Sequence, residues 1–405
     1  MINTLRIFIH DYAGHAFPVS LSRALAQQGH VVCHAFASAL QTPRGALSRR
    51  NGDPDGLEFM AVEMSPDYVK DKYSFLKRRQ HERNYGRAAS DFLRQWKPDV
   101  VLSGNTPTET QGFLLEAAEK TQTPFIYWVQ DFYSLAVTKL VRKKLPILGE
   151  AIGWHYRRMD RSHLRRSASV ISITEDFLPF LNKWRIPSKR SYVIPNWAEL
   201  EAFPVTPKTN PWSQKHGLSE AFVFLYSGTM GMKHNPELLV RLAETFIGNP
   251  DVKIVINSEG LGADHLSKAK KEKGLNNLVI NGYQPFEQLP EVLATADVLI
   301  TILEPDAGIF SVPSKTLSYL CAGRSILGAM PTENLAAQIV ATEGAGRVVA
   351  PFDVDGFVQA AKDLYSNQAS LQDMGANARA YAEATFSIET ITARFEEIFG
   401  NVVKG

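Results

Sequence analysis

The most constraining feature of this sequence is a repeated alternation of short apolar runs with longer helical or polar segments. The runs have the length and the β-branched or aromatic content of buried strands; in the first half they are LRIFIH, HVVCHAF, DVVLSG, PFIYWVQ and SVISIT. Several of the intervening segments have helical spacing, and glycine or proline often stands at their ends. Such an alternation predicts an α/β fold with a parallel, doubly wound sheet.

The alternation is interrupted once and then resumes. The segment VIPNWAELEAFPVTPKTNPWSQKHG is rich in Pro and Asn and has no periodicity, and the runs AFVFLYSG, VKIVINSEG, NLVING, DVLITIL and SILGAM follow it. We therefore expect two Rossmann-like domains at 1–195 and 219–384, a linker at 196–218, and a C-terminal helix at 385–405 that packs back toward the first domain. Because open parallel sheets bind ligands at the carboxyl ends of their strands, the domains are expected to face each other across a ligand-binding cleft.

Composition excludes several classes of protein. The 405 residues include two cysteines, Cys33 and Cys321, which are too few for a disulfide scaffold and lie in no metal-binding motif. His10 and Asp11 interrupt the apolar N-terminus, which argues against a signal peptide, and no apolar run approaches the ~20 residues needed to span a bilayer. We expect a cytoplasmic protein without a metal site.

Positive charge is concentrated in two windows of the first half. Windows 70–87 and 135–170 carry seven Lys/Arg against two acids and nine against two, so they sum to +12 while the rest of the chain sums to −10. Such surfaces attract nucleic acid, acidic lipid or phosphate, although solvated helices show the same pattern. In the second window apolar residues alternate with cations, which is typical of interfacial segments and predicts peripheral contact with an anionic membrane, at the inner face of the cytoplasmic membrane.

Two turns in the second half each end in a lysine. In LYSGTMGMKHNPELL, Gly228 follows a predicted strand and Lys233 precedes a helix. In GIFSVPSKTLSYLCAG, Pro313, Ser314 and Lys315 begin a helical segment. A lysine in the first turn of a helix gains nothing from the helix dipole, so it is expected to meet an anionic ligand. Two such turns at neighbouring strand ends suit a diphosphate, whereas ordinary strand-to-helix turns with surface lysines are the alternative.

Several segments together resemble the retaining GT-B glycosyltransferases of family 4. SVISITEDFLPFLNKWRIPSKRSYVIPNWAELEAF is similar to the domain-crossing segment of that family, which ends here in Asn196, and FLYSGTMGMKHNPELL resembles its glycine turn and lysine. NLVINGYQPFEQLPEVLATADVLITIL, SKTLSYLCAGRSIL and MGANARAYAEATFSIETITARFEEIF resemble its base-contacting, donor-binding and closing segments. The resemblance covers nearly the whole chain and implies the GT-B architecture.

The donor turn departs from the pattern of that family. Its two glutamates, eight positions apart, correspond here to Phe310 and Ser318. Ser318 can still hydrogen-bond a ribose hydroxyl, and Glu304 or Asp306 in the preceding loop can replace the first acid. The chain instead resembles a subgroup with a Pro-Ser-Lys turn that builds bacterial surface polysaccharides.

The resemblance assigns the remaining donor contacts. Gly282, Tyr283 and Gln284 are expected to contact the nucleotide base, with UDP favoured over GDP. Lys233, Lys315 and the amides near Ser314 would stabilise the diphosphate as it leaves, without a metal or any other cofactor.

The first domain is expected to bind the acceptor. Gly14 and His15 stand where the glycine-rich loop of the family lies, and Asn105 follows another strand. Asp131 ends the apolar run PFIYWVQ, where a carboxylate can orient the acceptor hydroxyl or accept its proton. A helix N-cap is the structural alternative for Asp131, and a structural turn residue is the alternative for His15.

The resemblance thus implies transfer of a hexose, with retention at the anomeric carbon, from a nucleotide-diphosphate sugar to a glycan or polyprenyl-diphosphate-linked acceptor. A nicotinamide oxidoreductase would show GxGxxG after its first strand, which IHDYAGHAFP lacks. A nucleotide-sugar epimerase and a non-catalytic nucleotide-sugar binding protein remain alternatives. A nucleic-acid binding protein is a further alternative, although no nucleic-acid partner is expected.

Overall fold

The protein forms two α/β units in a computed structural model that describes residues 4–40, 44–71, 74–144, 146–305 and 313–404. Unit 1 comprises Met1–Asn196 and Ile388–Gly405, and unit 2 comprises Trp197–Ser387. Each unit has one parallel sheet with helical connections, so the predicted pair of doubly wound domains is confirmed.

The sheet of unit 1 has the strand order β3-β2-β1-β4-β5-β6-β7, with all neighbours parallel. Its strands are β1 Arg6–Asp11, β2 Val31–Ala37, β3 Leu57–Val62, β4 Val100–Gly104, β5 Phe125–Val129, β6 Ser169–Ser172 and β7 Ser191–Val193. The order reverses between β1 and β4, which places the carboxyl ends of these two strands side by side.

Helices connect these strands in the order that the sequence predicts. They are α1 Ala16–Gln27, α2 Tyr68–Asp71, α3 Phe75–Trp96, α4 Thr108–Lys120, α5 Tyr133–Lys144, α6 Pro146–Arg166 and α7 Leu178–Lys183, with short 3₁₀ turns at Glu175–Phe177 and Ser188–Arg190. Windows 70–87 and 135–170, the two basic windows, fall mainly on α3 and on the pair α5 and α6. These long helices belong to unit 1.

The sheet of unit 2 has the order β10-β9-β8-β11-β12-β13 and is also parallel. Its strands are β8 Phe222–Ser227, β9 Val252–Asn257, β10 Leu278–Asn281, β11 Val298–Ile302, β12 Ser325–Ala329 and β13 Gly346–Val349. Its helices are α8 Pro211–Lys215, α9 Glu237–Thr245, α10 Leu261–Lys273, α11 Leu289–Ala294, α12 Ser314–Ala322, α13 Leu335–Thr342, α14 Val354–Ser366 and α15 Ala369–Thr385. Short 3₁₀ turns lie at Leu200–Ala202, Met232–His234 and Phe286–Gln288.

The last helix, α16 Ile388–Lys404, packs in unit 1 rather than in unit 2, which immediately precedes it. The rings of Phe395 and Trp128 meet edge to face at 5.2 Å, and Glu396 lies 2.9 Å from Nε2 of the buried His30. An aromatic contact of this kind adds about 1 kcal/mol to the burial of the two rings. The final helix therefore helps to complete the core of unit 1.

The Pro-rich stretch after β7 has a defined local structure. Asn210 and Ser213 form reciprocal hydrogen bonds that cap α8. Lys208 donates to Asp297, whose carboxylate also accepts from the backbone N–H of Val223, the second residue of β8. These contacts fasten the segment that was predicted as a linker to unit 2.

Candidate functional site

The two lysine-bearing turns of unit 2 meet at the carboxyl end of β8. Nζ of Lys315 lies 2.5 Å from the phenolic oxygen of Tyr226 and 3.8 Å from the centre of its ring. A Cβ atom built on Gly228 would lie 3.4 Å from this nitrogen, and the φ of Gly228 is +130°, which favours glycine. The Pro-Ser-Lys turn therefore brings its cation directly against the glycine turn.

Helix α12 is fixed to this strand end by a second tyrosine. The Tyr319 hydroxyl donates to the carbonyl of Ser227 at 3.2 Å and accepts from its N–H at 3.1 Å. Pro313 is the N-cap residue and Ser314, the first residue of the helix, is exposed. The N-terminal amides of α12 thus lie beside Lys315, which gives this turn two sources of positive potential.

The setting of Lys315 favours release of its proton. Burial lowers the pKa of the Lys315 ammonium to about 7. The residue is half-buried rather than closed off, so water screens part of this effect. Within the described ranges no carboxylate lies at ion-pair distance from its nitrogen. An incoming anion would provide a charged partner for this lysine.

The predicted base-contacting residues lie in the loop after β10. Tyr283 is 49% exposed, and its hydroxyl donates to Oγ1 of Thr229 at 3.3 Å. The carbonyl of Thr229 accepts from Tyr226 at 2.7 Å, so Thr229 bonds through its backbone to the partner of Lys315 and through its side chain to Tyr283. A Cβ atom on Gly282 would lie 2.9 Å from the Glu259 carboxylate, which accepts from the N–H of Tyr283 at 3.2 Å. Tyr283 is thus placed as an exposed ring beside the lysine turn.

Gln284 lies in the same loop but its amide bonds to the protein. Its Oε1 accepts from the indole N–H of Trp212 at 3.0 Å, and its Nε2 donates to the carbonyl of Gly282 at 2.9 Å. These bonds hold the loop against α8. The Gln284 side chain therefore stabilises the conformation of this loop.

For some residues predicted to bind the nucleotide-sugar donor, the structure gives a position in the fold but few contacts. Ser318 lies half-buried in α12, and Glu304 is a half-buried residue after β11. The backbone of Lys233 belongs to the turn Met232–His234, whereas its side chain is outside the described part of the protein. Asp306 and Phe310 also lie outside the described residues.

In unit 1 a compact polar cluster lies where β1 and β4 end. The carboxylate of Asp11 accepts from the backbone N–H of His15 at 2.5 Å and from Nδ2 of Asn105 at 3.2 Å. Nδ1 of His15 lies 3.4 Å from Asp11 and 3.2 Å from Asn105. Gly14 and Asn105 have φ values of +73° and +50°, a region that glycine and asparagine tolerate. The structure thus brings together the three predicted residues Gly14, His15 and Asn105.

His10 belongs to a different hydrogen-bond network. Its ring nitrogens contact Ser103, Thr106 and Tyr85 at 3.2, 3.0 and 2.9 Å. Burial lowers the pKa of His10 to about 3, so it is neutral at physiological pH. His10 is therefore a satisfied core histidine.

Asp131 follows β5 and is exposed. Burial by surrounding protein and the nearby Asp160 raise the pKa of Asp131 to about 6, although water at its open side screens part of this effect. Asp160 itself accepts from the Thr108 hydroxyl at 2.7 Å and from the backbone N–H of Ser134 at 3.1 Å. A carboxylate with a raised pKa can accept a proton near neutral pH. No hydrogen bond among the described residues joins Asp131 to the Asp11 cluster.

Sequence reasoning missed Tyr226, Asp11 and Glu259. Tyr226 is hidden in the apolar run AFVFLYSG, where a tyrosine is indistinguishable from other strand residues. Asp11 carried a usable signal, because it is a polar residue at the carboxyl end of a buried strand.

The described residues contain neither a metal-binding cluster nor a membrane-spanning helix. No group of three or more His, Cys, Asp or Glu side chains is arranged to hold a metal ion. None of the described helices combines the length and apolar character that a membrane span requires.

Both halves of the chain match known domains. Residues 15–197 match the glycosyl transferase 4-like domain, and residues 208–381 match the domain called glycosyl transferases group 1. WcaI of Escherichia coli K12, described as a glycosyl transferase of colanic acid biosynthesis, is 24% identical over 345 residues, which are 82% of this chain and 81% of WcaI.

Solved structures show the same fold. Anabaena HepE in complex with UDP-glucose superimposes with a TM-score of 0.70 at 14% identity and covers 98% of this chain and 100% of HepE. WaaG, a glycosyltransferase involved in lipopolysaccharide biosynthesis, gives a TM-score of 0.68 at 15% identity and covers 97% of this chain and 99% of WaaG. With the two domain matches and this architecture, the chain belongs to the glycosyltransferases and has the GT-B fold.

Proposed function

We propose that the protein is a retaining glycosyltransferase of the Pro-Ser-Lys subgroup. It would transfer a hexose from a nucleotide-diphosphate sugar, with UDP favoured over GDP, to a glycan or polyprenyl-diphosphate-linked acceptor in bacterial polysaccharide biosynthesis. The contact of Lys315 with Tyr226 and Gly228 at the start of α12 carries this proposal.

The Pro-Ser-Lys turn has the chemistry to bind a diphosphate. A leaving diphosphate accumulates negative charge, and a preorganised ammonium group and helix amides stabilise that charge where it develops. Gly228 has no side chain, which leaves room for phosphate oxygens close to the backbone and to Lys315. In this proposal lysine and backbone amides do the work that a divalent metal does elsewhere, so turnover should withstand EDTA.

The names of the relatives support the proposed donor and pathway. HepE was solved with UDP-glucose, and WcaI and WaaG are described in colanic acid and lipopolysaccharide biosynthesis. We propose a UDP-sugar donor and a surface-polysaccharide acceptor on this basis.

Acceptor binding is proposed for the strand ends of unit 1. Asp131 would orient the acceptor hydroxyl and accept its proton, for which a raised pKa is favourable. His15 would contact the same substrate.

We further propose that unit 1 contacts an anionic membrane from the cytoplasm. Leu76 and Trp154 are 73% and 58% exposed, and the guanidinium of Arg158 lies 5.7 Å from the centre of the Trp154 ring. Beside them lies a cavity of about 300 Å³ with an almost wholly apolar surface, lined by Phe75, Arg79, Ala151, Ile152, His155 and Tyr156. Exposed apolar side chains next to cations are typical of surfaces that lie in the headgroup region.

Calorimetric titration with UDP and GDP tests the donor site. Lys315→Ala should weaken UDP binding about 10- to 100-fold, because a hydrogen bond to a charged group contributes about 1.5–3 kcal/mol. Lys268→Ala is the matched control, since Lys268 is 75% exposed on α10 of the same unit. UDP binding that is equally tight in Lys315→Ala and wild type would contradict the proposed site.

Product analysis separates the transferase from its alternatives. Wild-type protein, UDP-glucose and bacterial membrane extract should yield a glucosylated product whose anomeric proton in NMR shows the α configuration of the donor. An inverted product would refute retention, and conversion of UDP-glucose without acceptor to another UDP-sugar would indicate an epimerase. UDP binding with no turnover on any acceptor fraction would favour a binding protein.

A further inference from the structure

Among the described residues, the imidazole of His15 has hydrogen-bond partners at only one of its two nitrogens. Nδ1 lies 3.4 Å from Oδ1 of Asp11 and 3.2 Å from Nδ2 of Asn105. Nε2 is on the opposite edge of the ring, and the His15 side chain is 35% exposed. The ring is therefore anchored through one nitrogen, while the other is left for an external partner.

The backbone of this cluster is also fixed. The N–H of His15 donates to the second oxygen of Asp11, and the N–H of Gly14 donates to the Asp11 carbonyl at 3.1 Å. The ring of Phe17 stacks on His15 with 6.0 Å between centroids. These contacts restrict the positions that the imidazole can occupy.

The orientation of the Asn105 amide follows from Asp11. Nδ2 of Asn105 lies 3.2 Å from Asp11 Oδ1, where an amide oxygen would be repelled by the carboxylate. This Nδ2 carries two hydrogens, one directed at Asp11 and the other at Nδ1 of His15. In the neutral form that carries its proton on Nε2, Nδ1 of His15 accepts this second hydrogen.

Protonation of His15 leaves a hydrogen on Nε2, the ring nitrogen that faces away from Asp11 and Asn105. In the imidazolium form Nδ1–H donates to Asp11, and Nε2 again carries a hydrogen. The remaining form, neutral with the proton on Nδ1, sets the same Nδ1–H against an N–H of Asn105 but lacks the charge attraction to Asp11 that offsets this contact in the imidazolium. Both favoured forms therefore present Nε2–H away from Asp11 and Asn105.

The charges around the cluster favour the imidazolium form. Burial opposes charge on His15, but the Asp11 carboxylate raises its pKa, and His15 in turn holds the pKa of Asp11 below its usual value. The other charged or titratable groups that interact with Asp11 are His10, His34, Tyr85 and Arg44. Burial lowers the pKa of His34 to about 4. Neighbouring His10 is likewise neutral at physiological pH.

We propose that Asp11 and Asn105 are positioning residues that hold His15 with Nε2–H directed outward as a permanent hydrogen-bond donor to an oxygen atom of the substrate. His15 is then a binding residue that cannot serve as a general base at Nε2. The identity of the substrate rests on the proposed function, whereas the arrangement of protons does not.

The test is ¹⁵N NMR of protein labelled at its histidines, with the His15 signals assigned by their loss in His15→Gln. Near neutral pH the Nε2 signal should be that of a protonated nitrogen. In Asp11→Asn the pKa of His15 should fall by about one pH unit, since an adjacent opposite charge has been removed. In Asn105→Asp it should rise by a similar amount, and aspartate tolerates the positive φ of this position.

His81, which lies 3.1 Å from Asp71, is an internal reference whose ¹⁵N signals should be the same in both variants as in the wild type. A neutral His15 with its proton on Nδ1, or a His15 pKa that moves in neither variant, would overturn the proposal. If Asp11→Asn does not fold, Asn105→Asp alone decides, because its predicted shift has the opposite sign to a general loosening of the site.

Activity measurements distinguish this inference from the proposed function. If the protein is a transferase, Asp11→Asn should lower kcat/KM more as pH rises through the lowered pKa of His15. Without transferase activity, the NMR result still supports or overturns the proton arrangement by itself.

Discussion

The ammonium group of Lys315 lies 2.5 Å from the Tyr226 hydroxyl and 3.8 Å from the centre of the same ring. Tyr226 comes from the end of β8 and Lys315 from the first turn of α12, 89 residues later in the chain. The contact therefore joins the end of a strand to the start of a helix; the sequence predicts that these lie at neighbouring strand ends, but not that the two side chains meet.

UDP binding should depend on pH through Lys315. Its pKa is lowered to about 7 by burial, so the unliganded amine loses its proton as pH rises above 7. If the diphosphate binds the ammonium form, UDP affinity should fall about fivefold from pH 7 to pH 8, with proton uptake on binding. Calorimetry in buffers of different ionisation enthalpy measures both quantities. Lys315→Arg stays charged and should lose this dependence.

The free energy of unfolding should also depend on pH through Lys315, and the direction of that change follows from the lowered pKa. Between pH 7 and the ordinary lysine pKa of 10.5, the unfolded chain holds a proton that the folded chain has released. The contribution of Lys315 to the free energy of unfolding therefore rises with pH over that range. Urea titrations at pH 7 and 9 should show wild type gaining stability relative to Lys315→Met. An equal change in both proteins would show that Lys315 is not the group responsible.

Tyr283→Ala should weaken UDP binding by about 1–3 kcal/mol, because the exposed ring offers a stacking surface to the base. Phe352→Ala is the control, since Phe352 is also exposed, at 74%, and belongs to unit 2. The measurement is calorimetry with UDP and with inorganic pyrophosphate, and pyrophosphate binding should be unchanged. Equal losses for both ligands would mean that Tyr283 supports the loop rather than the base.

Glu109→Gln should destabilise unit 1 by about 1.5–3 kcal/mol, because the partly exposed Arg79 and Arg83 lose their hydrogen bonds to a carboxylate. Glu109 is 2% exposed; burial opposes its ionisation, but Arg83 and Arg79 hold its pKa below the usual 4.5. Its stabilising effect is thus present above pH 4.5 and is lost as pH falls through the lower folded-state pKa. Urea unfolding at pH 7 and 4 measures this, with exposed Glu116→Gln on the same helix as the control. A loss at pH 7 no larger than that of Glu116→Gln would contradict the prediction.

The double change Leu76→Ser and Trp154→Ala should abolish most sedimentation with vesicles of anionic phospholipid at low salt. Leu76 lies on the basic helix α3 and Trp154 on the basic helix α6, and both apolar side chains are exposed. Leu261→Ser is a matched control, because Leu261 is 72% exposed but lies in unit 2. If the wild type stays in the supernatant, or if the double variant binds as well as the control, the membrane proposal fails.

Much of the fold was predictable because each element carries its own local signal. Buried parallel strands read as continuous apolar runs, so β1, β4, β8 and β11 could be recognised without tertiary information. The strands that were not predicted, Leu57–Val62, Ser191–Val193 and Gly346–Val349, all lie at sheet edges. Edge strands are partly exposed and shorter or more polar, so their pattern is weaker.

The sequence by itself determined the two α/β units, the strand ends at which the candidate ligand-binding residues lie, and the presence of a lysine in the first turn of a helix, where the helix dipole does not stabilise it. Tertiary structure alone decided that Lys315 lies against Tyr226, that Asp11 and Asn105 enclose one nitrogen of His15, and that Gln284 bonds to Trp212. Periodicity reports which face of an element is buried, but the contacts of a side chain depend on residues far away in the chain. Which strand ends become neighbours, and therefore which side chains share protons and charge, is fixed only when the sheets form.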